Sequence, residues 1–135
     1  MDPTLADGTM VDALDYGGAT PNHGDIIVFF SPISPDRTFI KRVIGLPEET
    51  VQVNESTGKV SLNGVVLTET YIQGTTNCSQ SCTWRVPLAN TDESRETCGS
   101  NACYFVLGDN RPNSSDSRQR WLVPAENIIG WVDAK

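Results

Sequence analysis

Basic residues, histidine and long apolar runs are what this chain has least of. Ten Lys and Arg stand against seventeen Asp and Glu, a net charge of −7, and no dense basic cluster interrupts the excess. That balance keeps a protein soluble and argues against a nucleic-acid surface. The longest purely aliphatic or aromatic run is Ile26-Ile27-Val28-Phe29-Phe30, far short of the roughly 20 residues a membrane-spanning helix needs. No segment reads as a signal peptide either. The single histidine, His23, lies between Asn22 and Gly24. A serine triad with a histidine base therefore has one candidate, and its setting reads as a turn.

The remaining composition is that of an ordinary folded domain, 38% hydrophobic and 20% charged. A length of 135 residues suits one domain with a real core. Short β-rich segments separated by turn residues dominate, with no helical stripe longer than about two turns. Strands are expected at Asp25–Phe30, Thr38–Ile44, Thr50–Val53, Lys59–Leu62, Val65–Leu67, Thr83–Val86, Tyr104–Leu107 and Asn127–Val132. Asn63-Gly64 between Leu62 and Val65 predicts a two-residue hairpin, because both central positions of a type I′ turn need φ > 0. The fold class is mainly β with little helix. Residues 1–135 form a single domain, with about 54–103 a smaller β and loop insertion; its polar stretch Gly74–Gly99 reads as a looped excursion. The first 24 residues, rich in Gly, look irregular.

Cys78, Cys82, Cys98 and Cys103 fall within 26 residues, at gaps of three, fifteen and four. They can form two disulfides or one metal site. Paired zinc knuckles usually begin with two-residue gaps, so the spacing favours disulfides and no metal is expected. Pairing within each short couple, Cys78–Cys82 and Cys98–Cys103, is the preferred connectivity among the three possible. Disulfides would place the domain outside the reducing cytoplasm.

The densest chemistry lies in Gly108-Asp109-Asn110-Arg111-Pro112-Asn113-Ser114-Ser115-Asp116-Ser117-Arg118. Two Asp, two Arg and three Ser follow directly on the apolar strand Cys103–Leu107, where a rigid element hands over to a loop. A polar turn with self-satisfied side chains is the plain alternative. If the run serves a hydrolase, the base has to come from elsewhere. A lysine can act as base when desolvation lowers its pKa. In Thr38-Phe39-Ile40-Lys41-Arg42-Val43-Ile44, strand alternation puts Lys41 on the face of Phe39 and Val43 and Arg42 with Ile40 and Ile44. One of two adjacent cations must therefore lie among apolar side chains, unless a snorkelling stem carries the ammonium to water.

Together these features resemble the type I signal peptidases. Gly24-Asp25-Ile26-Ile27-Val28-Phe29 is similar to that family's Gly-Asp strand, and Phe39-Ile40-Lys41-Arg42-Val43-Ile44-Gly45-Leu46-Pro47 to its lysine motif. Gly108–Arg118 is similar to its Gly-Asp-Asn-Arg-x-Asn-Ser-x-Asp-Ser-Arg box, and Val123-Pro124 and Asn127-Ile128-Ile129-Gly130 follow in order. The cysteine-bearing middle has no clear counterpart. The resemblance implies a fold of coiled antiparallel β-sheets with a disulfide-bearing excursion. It implies a membrane-anchored bacterial serine endopeptidase that removes signal peptides from secreted pre-proteins, without a cofactor. Lys41 would be the general base and Ser114 the hydroxyl that orients it, with Asp116, Arg118, Asp109 and Arg42 as support. The substrate would add as a strand along Phe39 and Ile40, with Ile26 and Val28 near pockets that take small side chains at the first and third positions before the cut.

The family's nucleophile belongs to Ser-Met-x-Pro-Thr-Leu, and this chain opens Met1-Asp2-Pro3-Thr4-Leu5. The catalytic serine is thus expected one position before Met1, and the membrane helix before that. On this reading the chain as it stands is soluble and inactive, a catalytic-domain fragment of a protein held at the extracytoplasmic face of the bacterial membrane. Two other classes fit parts of the sequence: a noncatalytic extracytoplasmic β-module that binds peptides or partners, and a cytosolic self-cleaving repressor-type protease with Ser-Lys chemistry. Clustered cysteines count against the second.

Overall fold

Strand β2 (Thr38–Gly45) carries a core on each of its faces, and the architecture follows from that. In the computed structural model, which describes residues 13–78, 82–99 and 101–133, five strands form one antiparallel sheet. They are β1 (Ile26–Phe30), β2, β7 (Cys103–Leu107), β8 (Val123–Pro124) and β9 (Ile128–Val132), in the order β8-β7-β2-β1-β9. On one face Ile27, Phe29, Val43, Tyr104, Val106, Trp121 and Val123 pack together. On the other, Ile44, Phe105 and Leu107 pack against Val51, Val53, Val60 and Val86. Strand β7 is buried along its whole length because it serves both cores, so it reads as a continuous apolar run without alternation.

The second core is closed by a four-stranded antiparallel sheet, β5-β4-β3-β6. Its strands are β3 (Thr50–Val53), β4 (Val60–Leu62), β5 (Val65–Val66) and β6 (Thr83–Arg85). The β4–β5 hairpin turns at Asn63 and Gly64 with φ of 50° and 85°, as the Asn-Gly pair predicts, and Asn63 Oδ1 also accepts from Thr50 N–H. Gly45 lies where the two sheets meet. A Cβ there would come within 2.9 Å of Val51 Cγ2 and 3.1 Å of Phe105 Cβ.

Both disulfides join the near neighbours, Cys78 to Cys82 and Cys98 to Cys103, with Cα separations of 5.7 and 5.8 Å. Their sulfurs are consumed in these bonds and are not available as a zinc cage. The stretch Gly74–Gly99 is less looped than its polarity suggests. Besides β6 it contains a helix, α1 (Asp92–Cys98), begun by a reciprocal cap in which Thr91 Oγ1 accepts from Ser94 N–H and Ser94 Oγ accepts from Thr91 N–H. Only Ser94 and Cys98 of this helix are buried, so it has no apolar stripe to reveal it. Strand β8, two residues long and containing Pro124, was also below the reach of strand periodicity.

Residues 13–24 are irregular but tied down. Leu14 exchanges backbone hydrogen bonds with Trp131, and Tyr16 donates from its hydroxyl to Asp25. The opening Met1–Leu5 lies outside the described residues. No helix among those described is long and apolar enough to cross a membrane.

Phe105 is fully buried and its ring lies 5.1 Å from that of Trp84. Phe105→Ala is expected to destabilise the chain by about 3–5 kcal/mol, seen as a lower urea midpoint with an unchanged slope. A loss below about 1 kcal/mol would mean that the two sheets do not share this core.

Candidate active site

The antiparallel register of β2 and β7 opposes Arg42 to Leu107, so the chain leaving β7 delivers Gly108 beside Lys41. The Lys41 side chain runs along the face of Phe39, with its amine 5.6 Å from that ring's centre. It ends 3.0 Å from Ser114 Oγ. Burial holds the amine's pKa below the ordinary 10.5, since the charged form loses hydration; the Asp116 carboxylate acts against this and the Arg118 guanidinium reinforces it. A lysine with a depressed pKa, aimed by a hydroxyl, is the arrangement needed for a general base.

Gly108 makes this approach possible. A Cβ at that position would overlap the Ser114 hydroxyl and lie 3.4 Å from Lys41 Nζ. Its peptide groups are pinned on both sides: the Gly108 N–H donates to Asp116 Oδ2 at 3.1 Å, and the carbonyl accepts from Arg111 Nε at 2.8 Å. Asp116 is buried and forms a two-pronged pair with Arg118, Nε to Oδ1 at 2.9 Å and Nη2 to Oδ2 at 2.8 Å. It also caps the short 3-10 turn Ser117–Gln119 by accepting from Arg118 N–H. Arg118 in turn donates to the carbonyls of Arg111 and Asn77. On the opposite face of β2, Arg42 grips the buried Asp109 with two bonds of 2.9 and 2.8 Å. Such paired, hydrogen-bonded charges are the form in which buried ions are tolerated.

The residues singled out in the sequence thus fall into three groups. Lys41, Ser114, Asp116 and Arg118 are brought together, and Arg42 joins Asp109 behind them. Val28 and Ile40 are paired in register and half-buried. Ile26 is buried, and Phe39 packs edge-on to Phe29 at 6.1 Å and beside Trp121. His23 stands in a turn with Nε2 2.7 Å from Glu49 Oε1.

A further layer had no assigned role in the sequence. Arg111 is almost wholly buried and pairs with Glu69 at 2.6 and 3.1 Å, while also donating to Thr76 Oγ1. Glu69 accepts from the Tyr71 hydroxyl, and the Tyr71 ring lies 3.8 Å under the Arg42 guanidinium. Burial, with the Glu69 charge next, pushes the Tyr71 phenol up to about 12. Backbone bonds between Gln73 and both Asp109 and Arg111 fasten the segment to the box. Arg111 was visible inside the box, but Glu69 sits 42 residues away and carries no local signal.

Fold and site together define a β-sheet domain of the signal-peptidase type. A crystal structure of a signal peptidase I from Enterococcus faecalis V583 matches it with a TM-score of 0.60 and 31% identity, covering 85% of this chain and 98% of that one. The chain belongs to the signal peptidase family, peptidase S26, whose pattern it matches over residues 1–135. It is 41% identical to signal peptidase I of Leptolyngbya laminosa over 138 residues, which cover 95% of this chain and 60% of that protein. It is 38% identical to the probable signal peptidase I-1 of a Synechocystis strain, covering 95% and 62%. The chain therefore spans about three-fifths of the length of these two relatives.

Two outcomes follow from this geometry. Titrated by NMR of its side chain, Lys41 is expected to deprotonate below 10.5. Arg118→Gln should raise that midpoint and Asp116→Asn lower it, because the first charge disfavours the ammonium and the second favours it. A midpoint at or above 10.5 would contradict the desolvated setting. Glu69→Ala strands the Arg111 charge and is expected to cost about 3–5 kcal/mol in urea unfolding; a neutral result would show that the pair is not closed in solution.

Proposed function

We propose that this chain is the catalytic domain of a bacterial signal peptidase I that removes signal peptides by Ser-Lys acyl transfer. The observation that carries the reading is the 3.0 Å approach of the Lys41 amine to Ser114 Oγ in a half-buried setting that lowers its pKa. Lys41 takes the proton from a serine hydroxyl, whose oxygen attacks the scissile carbonyl. The lysine then gives that proton to the leaving amine and activates water to break the acyl-enzyme. The nucleophile is the serine of Ser-Met-x-Pro-Thr-Leu, placed immediately upstream of Met1. Ser114 orients the amine, Asp116 and Arg118 hold Ser114, and Arg42 and Asp109 anchor the start of the box.

The substrate lies extended along β2. Strand β7 pairs with β2 at Arg42, Val43 and Gly45, so among the described residues Thr38–Lys41 has β1 on one side and no strand on the other. That open edge supports β-addition of a peptide. Ile40 and Val28, with Ile26 beneath and Phe39 braced by Phe29 and Trp121, form the floor for small side chains at the first and third positions before the cut. In this reading residues 1–135 are one domain with 54–103 as an insertion. An apolar helix upstream anchors it at the extracytoplasmic side of the membrane, and its two disulfides support that location.

Incubated with a signal-peptide substrate, the 135-residue chain is expected to be inert. Lengthened by its natural upstream residues through the serine, it should cleave. In that longer protein, Lys41→Met should reduce the rate by at least about 10²-fold without unfolding it. Turnover by the short chain after stringent purification, or near-full activity of Lys41→Met, would defeat the assignment.

A further inference from the structure

Residues 69–77 form a strap that leaves the four-stranded sheet, crosses the Gly108–Arg118 box and returns. Just before it, the Leu67 N–H donates to the Val60 carbonyl of β4. Just after it, Cys78 is bonded to Cys82, whose carbonyl accepts from the Val53 N–H of β3. Both ends are thus fastened to that sheet. Among the described residues, neither apolar core includes any of 69–77, so core burial does not account for the path the strap takes.

Its bonds go to the box instead. The first residues supply the Glu69–Arg111 pair and the Tyr71 ring under Arg42. The Gln73 N–H donates to the Asp109 carbonyl at 2.8 Å, and the Gln73 carbonyl accepts from the Arg111 N–H at 3.0 Å. Asn110 gives the 3-10 turn Arg111–Asn113 no side-chain cap, so the strap backbone satisfies the turn's first N–H. Two consecutive residues then serve both arginines of the box. Thr76 Oγ1 accepts from Arg111 Nη1 at 2.8 Å, and the Asn77 carbonyl accepts from Arg118 Nη1 at 3.1 Å. Thr76 and Arg111 are each 1% exposed, and water is poorly placed to replace that bond.

The fit is steric as well, and from two sides. A Cβ on Gly74 would overlap Pro112 of the box, and a Cβ on Gly58, in the turn between β3 and β4, would overlap the Thr75 methyl. Glycine at both positions lets the strap seat between turn and box at backbone distance. At Gly64, where φ is 85°, a Cβ would meet nothing within 4 Å.

We propose that residues 69–77 are a positioning element for the reaction, seated between the β3–β4 turn and the box so that Arg111 and Arg118 keep Gly108, Asp116 and hence the Lys41 amine in place. Gly74 and Thr76 are its positioning residues, acting through Pro112 and Arg111. The catalytic consequence rests on the Ser-Lys reading, whereas the effect on the setting of Lys41 does not.

Gly74→Ala drives a wedge between strap and box, and Thr76→Val removes the acceptor while keeping the side-chain shape. In the 135-residue chain each is expected to raise the NMR titration midpoint of Lys41 by about 0.5 pH or more, because a loosened box lets water reach the ammonium. In the protein lengthened through the serine, each should lower kcat by about 10–10²-fold and leave KM within about twofold. Gly64→Ala, which meets a positive φ without a wedge, and Thr76→Ser, which keeps the hydroxyl, should hold both readouts at parent values. If Gly74→Ala does not fold, the two Thr76 variants decide. The proposal is overturned if Gly74→Ala and Thr76→Val lose urea stability yet leave the Lys41 midpoint and kcat unchanged, or if either control moves them equally. Should the lengthened parent itself fail to cleave, the Ser-Lys reading falls, and the Lys41 midpoints alone uphold or overturn the strap.

Discussion

The Gly108 peptide, clamped from two directions, is the constraint on which the rest of the site depends. Its N–H is fixed by the Asp116 carboxylate and its carbonyl by Arg111. Each clamp is itself held by a buried ion pair, Asp116 by Arg118 and Arg111 by Glu69. With no Cβ in the way, Ser114 Oγ lies directly against this glycine, and the Lys41 amine meets it there. Replacing the glycine or loosening either clamp would move the hydroxyl that the Lys41 amine contacts. The eleven-residue box is therefore best understood as a frame for one hydrogen bond.

The same frame manages the electrostatics. A neutral amine requires burial without a dominant negative charge beside it, yet Asp116 is close enough to oppose the lowering of the Lys41 pKa. Arg118, bound to both oxygens of that carboxylate, opposes its field at Lys41 while fixing its geometry. Arg42, the second cation of the Lys-Arg pair, is turned to the far face of β2 and neutralised by Asp109. Strand alternation thus separates two adjacent cations into different jobs: one is desolvated and left to titrate, the other locked as a structural ion.

Much of this was legible in the sequence, for identifiable reasons. Strands with strong period-two or fully apolar patterns, such as Thr50–Val53 and Cys103–Leu107, stood out, and Asn63-Gly64 specified its turn. The cysteine pairs were near enough in sequence for local bridging to be favoured. Helix α1 escaped because a seven-residue, mostly exposed helix carries no apolar stripe; the signals present were its Thr91–Ser94 cap, the acidic Asp92 and Glu93 in the first turn and Gly99 after the last. Glu69 and Tyr71 escaped because their significance lies in partners, Arg111 and Arg42, that only the tertiary fold brings near. Residues of the box could be read together as a site, and among its three serines the family resemblance singled out Ser114, the one that lies 3.0 Å from the Lys41 amine once β7 delivers Gly108 beside it.

The proposed catalytic role of this frame stands or falls on Ser114. The most direct measurement is steady-state cleavage of a signal-peptide substrate by the upstream-lengthened protein carrying Ser114→Ala, with folding verified by its unfolding midpoint. If Ser114 aims the neutral Lys41 amine at the nucleophile, kcat should fall by about 10²-fold while KM stays within about twofold, the pattern of an interaction made in the transition state. A variant that turns over at nearly the parent rate would contradict the account.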